Sequence, residues 1–215
     1  VNKTWGAAAF HAQNESVYTY RGRWPKLLKH TQNADLSDCS TFDLYQAGKI
    51  SKEKHLLVLQ DYLFGSNDDN FTIEECLECA ELIHTHILGR QYPGAFLTLL
   101  ALLKNSITTG CLSNTSQLHW DILKDNEEYS AIALMQHNAL SFEIGFNKPD
   151  IKAFKAFEEM SFARSPRNIL YFDDVQANVD AARNAGWEAE LVVSDEDNTI
   201  RDIRGHLINR GIIQV

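Results

Sequence analysis

The sequence predicts an α/β fold built on a parallel sheet, preceded by a mostly helical part. Two observations carry this reading. Beyond Tyr92-Pro93-Gly94, short apolar runs alternate with helical stretches, the pattern of strands joined by crossover helices. Before that point the apolar residues recur mainly at helical spacing.

Ser51 is placed to cap a helix that carries Leu56, Leu59 and Leu63 on one face. Gly65 to Asn70 reads as a polar turn, and Thr72 with Glu75 as a capping box. Cys76, Ala80, Ile83 and Ile87 then form a helix stripe, stopped near Gly89. Ahead of residue 50, Ala7 to Phe10 looks helical, and Val17 to Tyr20 reads as strand or loop. In the second part, Gly94 to Leu103 predicts a buried helix, and Thr108 to Leu112 a strand running into Ser113-Asn114-Thr115. A helix follows from Gln117, and Ala131 to Met135 reads as a second strand. Pro149 stands at a helix start, where its missing N–H costs nothing, ahead of the stripe Ile151, Phe154 and Phe157. Ile169 to Phe172 is an apolar strand ending in Asp173-Asp174. Val179, Ala182 and Ala185 mark a helix closed by Gly186; Glu190 to Val193 is the last strand, and a helix from Thr199 ends the domain.

Composition narrows the function. Of 215 residues, 29 are acidic and 20 basic, a net charge of −9. Nucleic acids and anionic membrane surfaces both select clustered Lys and Arg, so neither is expected as a partner. The longest nearly apolar run, Ala95 to Leu103, is broken by Thr98, and a spanning helix needs about 20 apolar residues. No secretory signal is expected. Four cysteines are too few for a disulfide scaffold, and reduced thiols in a cytoplasm are the simpler reading.

Chemistry gathers where strands end, because ligands of parallel sheets bind beyond the carboxyl ends of the strands. One strand ends in Ser113-Asn114-Thr115 and another in Asp173-Asp174; between them in sequence stands Lys148, just before Pro149. A hydroxyl, a lone cation and paired carboxylates fit a phosphate held between lysine and a divalent metal. Mg²⁺ takes a few carboxylate oxygens and keeps its other positions for water or phosphate. Cys76-Leu77-Glu78-Cys79 with His84 and His86 invites a zinc reading. The spacing to the histidines is too short for the usual finger, and the cysteines fall on an apolar stripe.

Together, Leu112-Ser113-Asn114-Thr115, Gly145-Phe146-Asn147-Lys148-Pro149-Asp150 and Leu170-Tyr171-Phe172-Asp173-Asp174 with Asn178 resemble the haloacid dehalogenase-like hydrolase superfamily, in its order and spacing. Ala181 to Gly186 and Tyr92-Pro93-Gly94 share the likeness, which spans about residues 92–195. The resemblance implies a Rossmann-like parallel-sheet core with a helical cap inserted near the N-terminus: 1–9 a remnant of the core start, 10–90 the cap, 91–215 the core. It implies that Ser113 hydrogen-bonds phosphoryl oxygens, with help from the backbone at Asn114, and that Lys148 steadies the nucleophile and phosphate charge. By the same resemblance Asp174 is expected to bind Mg²⁺ directly, with Asp173 and Asn178 in or near its surroundings. The nucleophile of this family is an aspartate that forms an aspartyl-phosphate. Val1-Asn2-Lys3-Thr4 matches the tail of its motif, with Thr4 as the threonine, Asn2 in place of the second aspartate, and the nucleophile one residue before Val1. The chain as given is then expected to turn over substrate only slightly.

The activity implied is a Mg²⁺-dependent phosphatase for a small phosphomonoester. The alternatives are a metal-free 2-haloacid dehalogenase, which has no need of the Asp173-Asp174 pair, and a truncated or non-catalytic protein of the same fold. Substrate identity and oligomeric state are encoded in none of these motifs.

Overall fold

In a computed structural model, the structure describes residues 39–64, 74, 78, 88–195 and 197–214. The chain divides into two compact units, Val1–Gly89 and Arg90–Val215.

In the first unit, α1 (Phe42–Gln46) is followed by α2 (Lys52–Phe64). Ser51 caps α2 as expected, its Oγ accepting from Lys54 N at 3.3 Å. Leu56 and Leu59 are buried and Leu57 is exposed, as helical spacing predicts for these two positions. His55 is also buried, stacked on Tyr45 with ring centroids 4.6 Å apart and its Nδ1 2.9 Å from Thr41 Oγ1. The expectations for Ala7 to Phe10, Val17 to Tyr20, the turn at 65–70, the Thr72–Glu75 capping box and the Cys76 stripe lie outside the described residues, as does the cysteine–histidine group.

The second unit runs α3 (Ala95–Lys104), β1 (Gly110–Ser113), α4 (Gln117–Lys124), β2 (His137–Leu140), α5 (Ser141–Ile144), α6 (Ile151–Ser161), β3 (Leu170–Asp173), α7 (Gln176–Asn184), β4 (Glu188–Leu191) and α8 (Thr199–Asn209). Among the described residues the strands form two parallel pairs, β1 with β2 and β3 with β4. Helix α6 packs on β1 and β2, and α7 on β3 and β4. Leu112, Ala139, Tyr171 and Ala189 bring one residue from each strand into a single cluster with Phe154, Val179 and Trp187. A smaller cluster joins α3 to α8 through Leu102, Leu207 and Ile213.

Three expectations are corrected. The run Ala131–Met135 is not a strand: Ile132–Leu134 is a 3-10 turn, and the strand is His137–Leu140. The reason is the pairing at Thr109, whose carbonyl accepts from Gln136 N and His137 N, so that the parallel register opens at Gly110 opposite His137. Apolar content misled, because sheet context outweighs intrinsic propensity. Helix α3 is buried on one side only: Thr98 and Leu102 face inward, while Leu97 is 64% exposed. The last strand lies two residues earlier than expected, because Glu188 N already bonds Ile169 O at 3.0 Å and starts the ladder directly after Trp187.

Gly110 opens β1 where no side chain fits. An added Cβ would stand 2.7 Å from Phe157 Cζ and 2.8 Å from the His137 carbonyl oxygen, and the latter is part of the ladder. Gly110→Ala is therefore expected to cost about 1–3 kcal/mol through overpacking, measured by denaturant unfolding. An unchanged midpoint would show that β1 and α6 have slack at this point.

Candidate active site

The ends of β1 and β3, with the loop before α6, supply the site. After Ser113 the chain is pinned to the start of α5: Ser141 Oγ accepts from Thr115 N and donates to Thr115 O, both at 2.9 Å. Ser116 then caps α4, accepting from His119 N. Asn114 turns its amide across to the lysine loop. Its Nδ2 donates to Lys148 O at 2.9 Å, and its Oδ1 accepts from Lys148 N at 2.7 Å. Asn114 thus clasps both polar groups of the Lys148 main chain, as a neighbouring strand would.

Lys148 precedes a cis peptide bond to Pro149. The helix start differs slightly from expectation: Asp150 is the cap, accepting from Lys152 N at 2.9 Å, and Pro149 lies just outside it. From there the lysine side chain reaches β3. Its Nζ donates to Asp173 Oδ2 at 2.8 Å and to Tyr171 OH at 2.9 Å. The pair is buried, with side-chain exposures of 12% for Lys148 and 6% for Asp173.

Asp173 is fully engaged. Oδ2 also accepts from the Tyr171 hydroxyl, and Oδ1 accepts from Val175 N at 2.8 Å and Asn178 Nδ2 at 3.0 Å. Burial pushes this carboxyl up. The Lys148 ammonium and the hydrogen bonds from Lys148, Tyr171 and Asn178 outweigh burial, and its pKa lies below the usual Asp value. Tyr171 moves the other way: burial first, then the Asp173 charge, raise its phenol far out of reach, so it remains a neutral donor. Burial likewise raises the Cys111 thiol, against the pull of Lys148, which argues against a thiolate nucleophile on β1.

A depressed carboxyl stabilises the folded state above the unfolded-state pKa and loses that contribution as pH falls through the folded one. Stability is therefore expected to drop as pH falls below about 4. Asp173→Asn should flatten this part of a pH–stability curve. An unchanged slope would show that Asp173 titrates alike in both states.

Hydrogen bonds link Asn114, Lys148, Asp173 and Asn178 in one chain, and Ser113 ends β1 next to Asn114. Of the two adjacent carboxylates, Lys148 holds Asp173. The reason is the two-residue period of a strand: Tyr171 and Asp173 share the inner face of β3 and are both buried, while Asp174, just past the strand, is exposed. Asn2 and Thr4 lie outside the described residues. Sequence reasoning missed Tyr171, although its alternation with Asp173 was the available signal. Among the described residues no group of three or more His, Cys, Asp or Glu could hold a metal ion. Mg²⁺ asks for less, namely one or two carboxylates with phosphate and water completing the shell, and Asp174 has no hydrogen-bond partner among the described residues.

No family model matches the chain, and no curated protein gives a significant match. Solved structures do match. A protein described as a predicted HAD-like family hydrolase from Porphyromonas gingivalis superposes with a TM-score of 0.63 at 16% identity, over 94% of this chain and 89% of that one. A mutant HAD-family enzyme from Bacteroides thetaiotaomicron, in complex with magnesium and inorganic phosphate, gives 0.60 at 20% identity over 75% and 80%. An L-2-haloacid dehalogenase from Xanthobacter autotrophicus, with chloropropionic acid covalently bound, gives 0.57 at 14% over 100% and 82%. Likeness at these identities establishes architecture, and it agrees with the parallel strand pairs and their covering helices: the chain has the haloacid dehalogenase-like fold.

Proposed function

We propose that the protein is a hydrolase of the haloacid dehalogenase type, working as a Mg²⁺-dependent phosphatase on a small phosphomonoester. The observation that carries this reading is the division of labour between adjacent carboxylates. Asp173 is consumed by Lys148, Tyr171, Val175 and Asn178. Asp174 stands exposed beside it with its oxygens available to a cation. A metal-free dehalogenase has no use for the second carboxylate. The relative crystallised with magnesium and inorganic phosphate supports the same choice.

In this reading Asp174 holds Mg²⁺, which when bound offsets phosphate charge. Lys148 has three N–H donors and gives two of them to Tyr171 and Asp173, leaving one for a phosphoryl oxygen. The Ser113 hydroxyl serves another, and Asn114 holds the main chain from which Lys148 projects. An aspartyl nucleophile belongs to this chemistry; among the described residues Lys148 pairs with no carboxylate but Asp173. We assign residues 10–90 to a helical cap, 91–215 to the core and 1–9 to the start of the core. Among the described residues no helix is long and apolar enough to cross a membrane, and a cytoplasmic setting fits the cysteine content.

Calorimetric titration with inorganic phosphate in millimolar Mg²⁺ tests the site. Binding should require Mg²⁺, and Asp174→Ala should weaken it at least about tenfold, or 1.4 kcal/mol. Any phosphate release from an aryl phosphate should stop with EDTA. Chloride release from 2-chloropropionate that EDTA leaves untouched would reverse the assignment in favour of a dehalogenase.

A further inference from the structure

We propose that Tyr171 is a positioning residue for Lys148, holding its ammonium in one place so that the third N–H is presented to an anionic ligand. This deepens the phosphatase reading and rests on it for the nature of the anion.

Three groups meet at one point: Lys148 Nζ lies 2.9 Å from Tyr171 OH and 2.8 Å from Asp173 Oδ2, and the Tyr171 hydroxyl also bonds Asp173 Oδ2. Only one assignment of protons satisfies all three contacts. An ammonium can only donate and a carboxylate can only accept, so the phenol accepts from Lys148 and donates to Asp173. The hydroxyl proton therefore has one direction, and two of the three ammonium protons have fixed acceptors. The described residues record no acceptor for the third.

Asp173 alone could not do this. Its Oδ1 is occupied by Val175 N and Asn178 Nδ2. That confines the lysine to Oδ2 but leaves it free to turn about that contact. The phenol oxygen is the second fixed point. It is itself held, because the Tyr171 ring meets Phe154 edge-on at 5.9 Å and Trp187 at 5.6 Å, and its strand is in register with β4. The ammonium also lies 5.5 Å from the centre of the same ring. At the other end, Asn114 clasps the Lys148 main chain. A long flexible side chain is thus fixed at both root and tip. A phenylalanine at position 171 would keep the ring contacts and lose the hydroxyl, with its bonds to Lys148 and to Asp173.

The test compares wild type with Tyr171→Phe by NMR of the ¹⁵N-labelled full chain, reading the lysine ammonium signals. The Lys148 signal is identified by its loss in Lys148→Arg. The expected wild-type result is a slowly exchanging Lys148 ammonium signal and a Tyr171 hydroxyl proton close to it. In Tyr171→Phe the ammonium signal should broaden or vanish while the amide spectrum elsewhere stays near wild type. Phosphate affinity in Mg²⁺, measured by calorimetry, should fall about tenfold. A purely packing role would leave the ammonium signal and the affinity unchanged in Tyr171→Phe, and that result would overturn the proposal. If the variant does not fold, the wild-type spectrum decides: no protected Tyr171 hydroxyl near the ammonium overturns it. If the ammonium signals behave as expected but wild type binds no phosphate, the positioning role stands and the phosphatase reading falls.

Discussion

Lys148→Met is expected to destabilise the protein by about 3–5 kcal/mol, the usual cost of removing one partner of a buried ion pair. Methionine fills much of the lysine stem's volume but leaves the Asp173 charge, only 6% exposed, without its cation. The remaining donors, Tyr171, Val175 N and Asn178, satisfy lone pairs but carry no net charge. For a chain of this size the melting temperature should fall by roughly 6–20 °C. Neutralising the other partner should recover much of the loss, so Lys148→Met with Asp173→Asn ought to be more stable than Lys148→Met alone. A loss below about 1 kcal/mol would place the pair among solvated surface contacts. Phosphate binding should disappear in both variants, because neither retains the ammonium.

Phe154→Ala should cost a similar amount, about 3–5 kcal/mol, by opening a cavity that its neighbours cannot close. Phe154 is fully buried and meets Tyr171 edge-on at 5.9 Å and Trp187 at 5.2 Å. It comes from α6, the helix that begins just after Lys148, so one side chain joins the core to the site. Its loss should loosen Tyr171, and the effects of Phe154→Ala and Tyr171→Phe should therefore not add. Unfolding of the single and double variants in urea measures this. Strict additivity would show that the core and the lysine network are independent.

Much of this protein is readable without coordinates, for reasons that vary by element. The helix from Gln117 starts where expected, because Ser116 is a strong local cap whose effect depends on neighbouring residues alone. The strand before Asp173-Asp174 was plain because an unbroken apolar run bounded by charge has few alternatives in a parallel sheet. The second strand was not. His137 and Asn138 are poor strand formers, and they pair because Gly110 and Cys111 lie opposite them. Ala131 to Met135 has the better composition and lies outside the ladder.

At the site, the kinds of residue and their order along the chain were already in the sequence: a hydroxyl after one strand, a lysine before a helix, and two carboxylates after another strand. Those features are local, set by caps, periodicity and strand ends, and they single out Ser113, Asn114, Lys148, Asp173 and Asp174 as candidates. Which carboxylate takes the lysine was decided only in three dimensions. Tyr171 and Asp173 are two apart on one buried face of β3, and Lys148 arrives from a loop 23 residues away from Tyr171 in sequence, held there by the Asn114 side chain. Spacing along the chain determines which face a side chain takes. Partners across such a gap are chosen by packing and by the need to neutralise a buried charge, and the partner appears only once the strands are placed.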